Sequence, residues 1–241
     1  MTEPAAAGTH GRLEEAVIEA VIELDQQGSV FVLRMRGGEN RFGPELLDEL
    51  GRALDRIAAT EGPCALVTTG EGKFYSNGMD LEWLATVPEQ AGDYLRSIYR
   101  LLGRVLSFPA VTVAAVNGHA FGGGALLAVA HDFAVMRADR GYWCMPEADL
   151  GLPLTVEYSG ILTARLPAAT THEALVTGRR YGGPQALAAG IVHQVAAESE
   201  VVSAAVELAA GLAAKDRRTL AEHKRLLYGE VVAKLMAYAT S

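Results

Sequence analysis

The sequence predicts an α/β fold with a parallel sheet, because short apolar runs alternate with longer amphipathic segments. Two of the runs, Cys64–Thr69 and Val111–Val116, carry no charge and are bounded by turn residues, as strands buried on both faces are. The segments at 44–59 and 88–106 place apolar residues at helical spacing. Helices that cross between strands favour parallel pairing. Beyond about residue 153 the pattern becomes almost entirely helical.

The first elements are a hairpin and a helix. Residues 17–35 contain two apolar runs separated by Asp25-Gln26-Gln27-Gly28, which has the composition of a hairpin turn. Pro44 then begins PELLDELGRALDRIAA, in which leucines recur every three or four residues. Proline is favoured at the first position of a helix, so we expect the helix to begin there.

The later elements continue the alternation and define two regions. After the strand at 64–69 and the helix at 88–106, we expect a strand at 111–116, a helix at 123–130 and a strand at 132–137. A short strand is expected in IVHQV, at 191–195, followed by three helical stretches from 198 to the end. We therefore predict a core over residues 1–195, with a short tail at 1–15, and a C-terminal helical region over 196–241.

Composition restricts the possible partners. The chain has 241 residues, half of them hydrophobic, and a formal net charge of -8, which argues against a nucleic-acid or anionic-membrane surface. Cys64 and Cys144 lie in apolar surroundings without metal-ligand spacing, so we expect buried reduced thiols and a cytoplasmic protein. Residues 105–130 carry no formal charge, but Pro109 and the glycines within this stretch divide it, so we predict no membrane span.

Two glycine turns follow the two uncharged strands. FYSNGMDL, at 74–81, comes after the first, and NGHAFGGGALL, at 117–127, comes after the second. Turns at the carboxyl ends of parallel strands meet at one edge of a sheet, where ligands bind. If the N–H groups of Met79 and Gly123 converge there, they can stabilise a developing oxyanion. Glycine turns are also common packing devices, and that alternative stays open.

Other kinds of site do not fit the motifs. Ala120 occupies the place of the second glycine of a GxGxxG motif, and no phosphate-loop ending follows the triple glycine. Ser159 lacks the GxSxG context of a serine hydrolase. His119 and His131 have no third ligand at metal spacing, so we expect no metal and interpret both as satisfied polar side chains.

Glu147 is a carboxylate in an apolar stretch, YWCMPEADLGLPL. Desolvation there is expected to raise its pKa, which suits acid–base chemistry near neutral pH. The alternative is that Glu147 points to solvent or pairs with a cation such as Arg140.

In this order and spacing the two glycine turns and the Pro-Glu pair resemble the crotonase, or enoyl-CoA hydratase/isomerase, superfamily, over about Val21 to Val195. The resemblance implies a spiral of ββα turns with a helical C-terminal trimerisation region, and a homotrimer or dimer of trimers. It also implies an acyl-CoA thioester substrate, with no cofactor beyond that coenzyme A. The thioester enolate would be stabilised between two backbone amides, which correspond here to Met79 and Gly123.

The resemblance also suggests the reaction. Hydratases of the superfamily have one glutamate shortly after the triple glycine and a second in the Pro-Glu pair, but the first position is Leu126 here. One carboxylate, Glu147, suffices to move a proton, so the sequence favours an isomerase that converts 3-enoyl-CoA to 2-enoyl-CoA. The glycine-turn segments are similar to those of plant peroxisomal enoyl-CoA isomerases. Two alternative functions stay open, a hydratase or other acyl-CoA lyase and a non-catalytic CoA-binding paralogue. For the isomerase itself, Glu157 is the alternative base.

The candidates for substrate binding are Arg41, Ser76, Gly78, Asp80, Leu81, Phe121, Gly122, Leu126 and Pro146, of which the resemblance marks Ser76, Gly78 and Leu81 as contacts of coenzyme A. Leu81, Trp83, Phe121 and Leu126 would line an acyl pocket, although core packing explains such residues more often. Asp80 is expected to cap a helix rather than take part in chemistry. The phosphates of coenzyme A require cations. The candidates are Arg41, Lys73, Lys215, Arg217, Arg218, Lys224 and Arg225, although a solvated helix face is the alternative for most of them.

Overall fold

The computed structural model describes residues 21–240, so the tail predicted at 1–15 lies outside the described part. Within this range a unit of two strands followed by helix occurs four times. The units are β1 (Ile22–Gln27), β2 (Val30–Met35) and α1 (Pro44–Ala58); β3 (Ala65–Gly70), β4 (Phe74–Ser76), α2 (Leu81–Thr86) and α3 (Ala91–Leu106); β5 (Val111–Val116), β6 (His119–Phe121) and α4 (Gly123–Ala130); and β7 (Phe133–Arg137), β8 (Trp143–Cys144) and α5 (Glu147–Leu150). The ββα spiral implied by the resemblance is confirmed.

Helices dominate the rest of the chain, as predicted. They are α6 (Val156–Arg165), α7 (Ala168–Thr177), α8 (Gly183–Ala188), α9 (Val201–Leu212) and α10 (Arg217–Thr240), with the single strand β9 (Gln194–Ala196) between α8 and α9. The first of the three helical stretches predicted after 198 is only a 3-10 turn, Glu198–Glu200. No helix in the described range is long and apolar enough to cross a membrane.

The strands form two sheets, of which the sequence indicated only one. The large sheet has the order β1-β2-β3-β5-β7-β9, with β1 antiparallel to β2 and the other pairs parallel. The small sheet has the order β4-β6-β8, and its strands are parallel. The first strand of each of the last three units therefore joins the large sheet and the second joins the small one. As a result, the segments that follow β4 and β6 emerge side by side.

The hairpin is present, but its turn lies further along the chain than predicted. Asp25 to Gln27 belong to β1, and Gln27 pairs with Val30, so the turn consists of Gly28 and Ser29. Gly28 has φ +61°, a left-handed conformation that glycine adopts without steric cost.

The large sheet is covered on both faces, which explains the uncharged runs. One face of β2, β3 and β5 packs with the alanine-rich side of α9, including Ala205 and Ala209. The opposite face, including Leu33 and Leu66, joins the main core with α1, α3 and α4. Cys64 and Cys144 are buried free thiols, as predicted.

The last helix packs on its own chain. α10 lies against α3 and α6, and the Lys224 ammonium donates to the carbonyl oxygens of Phe108 (2.9 Å) and Ala110 (2.8 Å) and to Asp132 (2.7 Å). The C-terminal helical region therefore completes the core of one subunit. Its predicted role in trimerisation stays a prediction.

His131 is buried in the core, and both of its ring nitrogens have hydrogen-bond partners. Nε2 of His131 lies 2.9 Å from the Thr68 hydroxyl, which in turn lies 2.8 Å from the Tyr75 hydroxyl. Nδ1 of His131 lies 2.7 Å from the carbonyl oxygen of Leu127. This network fits a neutral imidazole that donates from Nδ1. Burial lowers the pKa of His131 to about 4.

We expect His131 to make the protein less stable in mild acid. Its pKa is higher in the unfolded chain, about 6.5, so the unfolded state binds more protons between that pH and about 4. The free energy of unfolding should therefore fall as pH drops through this window, by about 3 kcal/mol from this group. Urea unfolding at pH 7 and 4.5 measures the loss.

Two variants separate this contribution from those of other groups. His131→Gln should show a smaller loss between the two pH values, whereas His172→Gln, which removes an exposed histidine, should keep the loss of the parent protein. An equal loss in the parent protein and His131→Gln would contradict the assignment.

Candidate active site

The first glycine turn, at 76–80, is locked by hydrogen bonds at both ends. The Ser76 hydroxyl is buried, donates to the Asn40 carbonyl oxygen (2.7 Å) and accepts from the Gly78 N–H (3.1 Å). Gly78 has φ +76°, and its carbonyl oxygen accepts from the Phe42 N–H (2.7 Å). Ser76 and Gly78, both predicted for binding, thus set the shape of the turn.

Asp80 closes the turn and caps α2. Its carboxylate accepts from the Trp83 N–H (3.0 Å), so the predicted helix cap is confirmed. Its own N–H donates to the Tyr94 hydroxyl on α3 (2.7 Å). Leu81 follows as the first residue of α2, with 46% of its surface exposed. Tyr94 is therefore a structural support of the turn that the sequence did not reveal.

The two glycine turns are in direct backbone contact. A Cβ atom at Gly78 would lie 2.7 Å from the Gly123 nitrogen and 2.7 Å from the Phe121 carbonyl oxygen. At Gly124 a Cβ atom would lie 2.2 Å from the Ser76 carbonyl oxygen. Only residues without a side chain permit this approach, which explains glycine at both positions. The structure thus joins the two turns that the sequence predicted to meet.

Two backbone donors at this junction are not used internally. Gly123 is the first residue of α4, so its N–H has no partner within the helix. Neither this group nor the Met79 N–H donates a hydrogen bond to an acceptor in the described range 21–240. Both amides remain available to an oxygen atom of a ligand.

Glu147 lies against the second turn. It is the first residue of α5, and the half-buried Pro146 occupies the N-cap position. Oε1 lies 3.2 Å from the place that a Cβ atom at Gly122 would take, and Gly122 has φ +50°. Oε2 is buried without a hydrogen-bond partner among the described residues.

The environment of Glu147 disfavours its charged form. Burial raises its pKa, and a hydrogen bond from its own N–H opposes part of this effect. Arg140 was the alternative partner of Glu147, but none of the ion pairs within residues 21–240 joins the two. The predicted rise in pKa is confirmed, and the geometry suits a carboxylate that exchanges protons with a bound molecule.

Two other positions bear on the acid–base chemistry. Leu126 is buried in α4, so no carboxylate stands at the position where hydratases of the superfamily carry their first glutamate. Glu157 is half-buried in the first turn of α6, where its charge helps raise the pKa of the Tyr99 hydroxyl, after the larger effect of burial.

Arg41 lies beside the first turn but is surrounded by carboxylates. It forms a parallel bridge with Gly78. Its guanidinium lies 2.8 Å from Glu39, 2.9 Å from Glu82 and 3.8 Å from Asp80. Glu82 and Glu39 raise the pKa of Arg41, and burial opposes part of this effect. A phosphate would have to compete with them.

Three of the other predicted phosphate ligands have structural partners. Lys224 is buried by the contacts described above, and Arg217 donates to the carbonyl oxygens of Ala58, Thr60 and Pro109. Arg225 pairs with Glu222 on the same helix (2.6 Å). The prediction for Lys224 and Arg217 was wrong, because both groups are consumed in attaching α10 to the core.

Phe121 and His119 form part of an aromatic group on the small sheet. Their ring centroids lie 5.0 Å apart, and the Arg180 guanidinium lies 5.7 Å from the Phe121 ring centroid. The buried His119 Nδ1 has no hydrogen-bond partner among the described residues, so the expectation of a satisfied side chain was wrong here, although it was right for His131. Within residues 21–240 no group of three His, Cys, Asp or Glu side chains is placed to hold a metal.

Comparisons with known proteins place the chain. The model of the family described as Enoyl-CoA hydratase/isomerase matches residues 25–240. The chain belongs to the enoyl-CoA hydratase/isomerase family. It is 36% identical to "Enoyl-CoA delta isomerase 2, peroxisomal" of Arabidopsis thaliana, over 86% of this chain and 92% of the relative. It is also 36% identical to the carnitinyl-CoA dehydratase of Escherichia coli strain K12, over 78% of this chain and 72% of the relative.

Solved structures of the enoyl-CoA hydratase/isomerase family share the fold. The apo structure of a Mycobacterium tuberculosis enoyl-CoA isomerase superposes with a TM-score of 0.83, at 28% identity, and the match covers 92% of this chain and 96% of that chain. The crotonase-like spiral is thus confirmed. Family members act on acyl-CoA thioesters, and both isomerase and dehydratase names occur among the relatives.

Proposed function

We propose that the protein is an enoyl-CoA isomerase that converts 3-enoyl-CoA to 2-enoyl-CoA. The observation that supports it best is Glu147, whose buried Oε2 has no partner in the described part of the chain and which lies against the second glycine turn. Leu126 leaves this carboxylate without the second glutamate that a hydratase of the superfamily uses.

In the proposed reaction the thioester oxygen accepts hydrogen bonds from the Met79 and Gly123 N–H groups. Glu147 removes a proton from the carbon next to the thioester, and the electron pair moves into the carbonyl to give an enolate. The two amides stabilise the negative oxygen. Glu147 then returns the proton at the γ carbon as the electrons move back, so the double bond shifts from C3=C4 to C2=C3. No cofactor beyond the coenzyme A of the substrate is needed.

A raised pKa makes Glu147 effective in both directions of proton transfer. A base with a pKa nearer to neutrality binds the proton more firmly while the enolate exists. Once it has returned the proton, Glu147 is again a carboxylate and ready for the next turnover. Hydration asks more of the site, because a water molecule must be oriented and activated as well.

The test is an assay with two substrates. We expect the absorbance of the conjugated enoyl thioester to rise when the protein is mixed with a 3-enoyl-CoA, and a 2-enoyl-CoA to reach the same mixture of the two isomers. Formation of 3-hydroxyacyl-CoA from the second substrate would show hydration and overturn the proposal. No change with either substrate, together with measurable binding of an acyl-CoA, would instead show a non-catalytic CoA-binding protein.

The oligomeric state and the cellular location are also proposals, and the oligomeric state follows from the resemblance to the superfamily. We propose a homotrimer or a dimer of trimers, which sedimentation equilibrium tests by giving three or six times the 25.5 kDa chain mass. A cytoplasmic location also remains a proposal, and the name of the Arabidopsis relative specifies the peroxisome for that protein.

A further inference from the structure

Tyr158 holds a buried hydroxyl that the fold leaves unsatisfied. It lies on α6, and its ring packs against that of Tyr99 on α3, with centroids 4.7 Å apart. Only 6% of Tyr158 is exposed, and its hydroxyl oxygen has no hydrogen-bond partner in the described range. Buried hydroxyls are nearly always paired, because an unpaired one loses its hydrogen bonds to water without replacement. Such an exception calls for a functional explanation.

The hydroxyls of the neighbouring tyrosines Tyr99 and Tyr94 do have hydrogen-bond partners. The Tyr99 hydroxyl lies 2.8 Å from the Thr155 hydroxyl, and the Tyr94 hydroxyl accepts from the Asp80 N–H. Tyr158 therefore differs from the tyrosines around it. If this position were needed only for packing, phenylalanine would fill it equally well.

The second unsatisfied group nearby is Glu147. Burial raises the pKa of Tyr158 well above its usual value, and the surrounding tyrosines and the charge of Glu147 add to this rise. α6 packs against α4, and Arg165 at the C-terminal end of α6 donates to the Val129 carbonyl oxygen near the end of α4, so Tyr158 lies toward the start of α4, where Glu147 Oε1 approaches Gly122. An unpaired donor and an unpaired acceptor, Glu147 Oε2, thus lie toward the same end of α4. The titratable groups that act on Tyr158 besides Glu147 are Tyr94 and Tyr99 on α3 and Tyr238 on α10. Glu157 on α6 acts on Tyr99, and Cys144 on β8 is affected by the charge of Glu147.

We infer that Tyr158 is a positioning residue for Glu147: when an acyl-CoA is bound, its hydroxyl donates a hydrogen bond to the Glu147 carboxylate. The inference rests on the proposed function, in which Glu147 is the proton shuttle. Hydrogen bonds of catalytic groups are often long in unliganded proteins and tighten in the substrate complex. A bond that forms on binding accounts for both unpaired atoms.

The hydrogen bond has a clear chemical role. A carboxylate enclosed by a bound acyl chain loses its remaining contact with water, which favours the neutral acid. A donated O–H bond favours the ionised form and so preserves the base at the moment it is needed. It also fixes one oxygen of the carboxylate, so that the other faces the α and γ carbons.

The experiment follows Glu147 directly. The ¹³C-carboxyl resonance of Glu147 is assigned by its loss in Glu147→Gln and titrated with and without saturating octanoyl-CoA, a saturated ligand that cannot isomerise. Tyr158→Phe removes only the hydroxyl. We expect it to raise the pKa of Glu147 in the complex by about one unit and to leave the free protein unchanged. The matched control is Tyr99→Phe, which removes a neighbouring hydroxyl and should leave both titrations as in the parent protein.

Kinetics provide an independent measurement. At pH 7, kcat of Tyr158→Phe should fall about 10-fold, and the acidic limb of its kcat profile should move to higher pH, because kcat reports the substrate complex. The corresponding limb of kcat/KM reports the free enzyme and should stay in place. Equal titration of Glu147 in the Tyr158→Phe and parent complexes would overturn the inference.

The two proposals fail in different ways. If the parent protein isomerises 3-enoyl-CoA but Tyr158→Phe titrates like it, the role of Tyr158 is wrong and the proposed function stands. If the octanoyl-CoA complex shows the shift but no 3-enoyl-CoA is isomerised, the hydrogen bond is present and the proposed reaction is wrong.

Discussion

Glu147→Gln is expected to lower kcat for isomerisation about 1,000-fold, because removal of a general base typically costs 10²- to 10⁴-fold. The amide has nearly the same shape as the carboxylate but cannot accept the α proton. The fold should be retained, because Oε2 has no hydrogen-bond partner in the described range and the substitution removes a buried charge. The measurements are initial rates with 3-enoyl-CoA and the thermal unfolding midpoint.

Glu157→Gln is the matched control for this change. Glu157 lies ten positions further along the chain, at the start of α6, and its removal should leave kcat within about threefold of the parent value. The reverse pattern, an active Glu147→Gln and an inactive Glu157→Gln, would transfer the role of base to Glu157.

Gly78→Ala is expected to lower kcat/KM by a factor of about 10² to 10³, the usual effect of losing one donor to an oxyanion. The new methyl group would lie 2.7 Å from the Gly123 nitrogen, so one turn must move away from the other. That movement separates the Met79 and Gly123 N–H groups. Rates with 3-enoyl-CoA and binding of octanoyl-CoA are the measurements.

Gly72→Ala separates this clash from backbone strain. Gly72 has φ +69°, close to the φ +76° of Gly78, but a Cβ atom there would have no neighbour within 4 Å. Both variants carry the strain of a left-handed alanine, about 1 to 2 kcal/mol. Only Gly78→Ala should lose catalysis, and equal activity losses in the two variants would contradict the proposed role of the junction.

The large sheet was predictable because its strands are buried on both faces. Val111 to Val116 contain no polar side chain larger than threonine, and such runs leave few alternatives to a central strand. The small sheet was not predictable in the same way. Its strands have three residues or fewer, too short for any periodic pattern, and FYS and HAF were interpreted as parts of turns.

The candidate site likewise has parts that the sequence predicts and parts that it does not. Glycines and a carboxylate in an apolar stretch have local signals, and the structure brings Gly78, Gly123 and Glu147 together. Tyr94 and Tyr158 have no such signal, because tyrosine on the apolar side of a helix is indistinguishable from core packing. Their significance depends on which hydroxyl finds a partner, and only tertiary contacts decide that.

The contact between α10 and α3 also affects the region around the first glycine turn. Leu235 and Met236 of α10 lie beside Gly103 of α3, and Arg100 donates to the Ala239 carbonyl oxygen (3.2 Å). The same α3 carries the Tyr94 hydroxyl that accepts from the Asp80 N–H, next to Met79. α10 is thereby connected through one helix to the turn of the proposed oxyanion-binding amides, so under the proposed function substitutions in α10 are expected to change turnover from a distance.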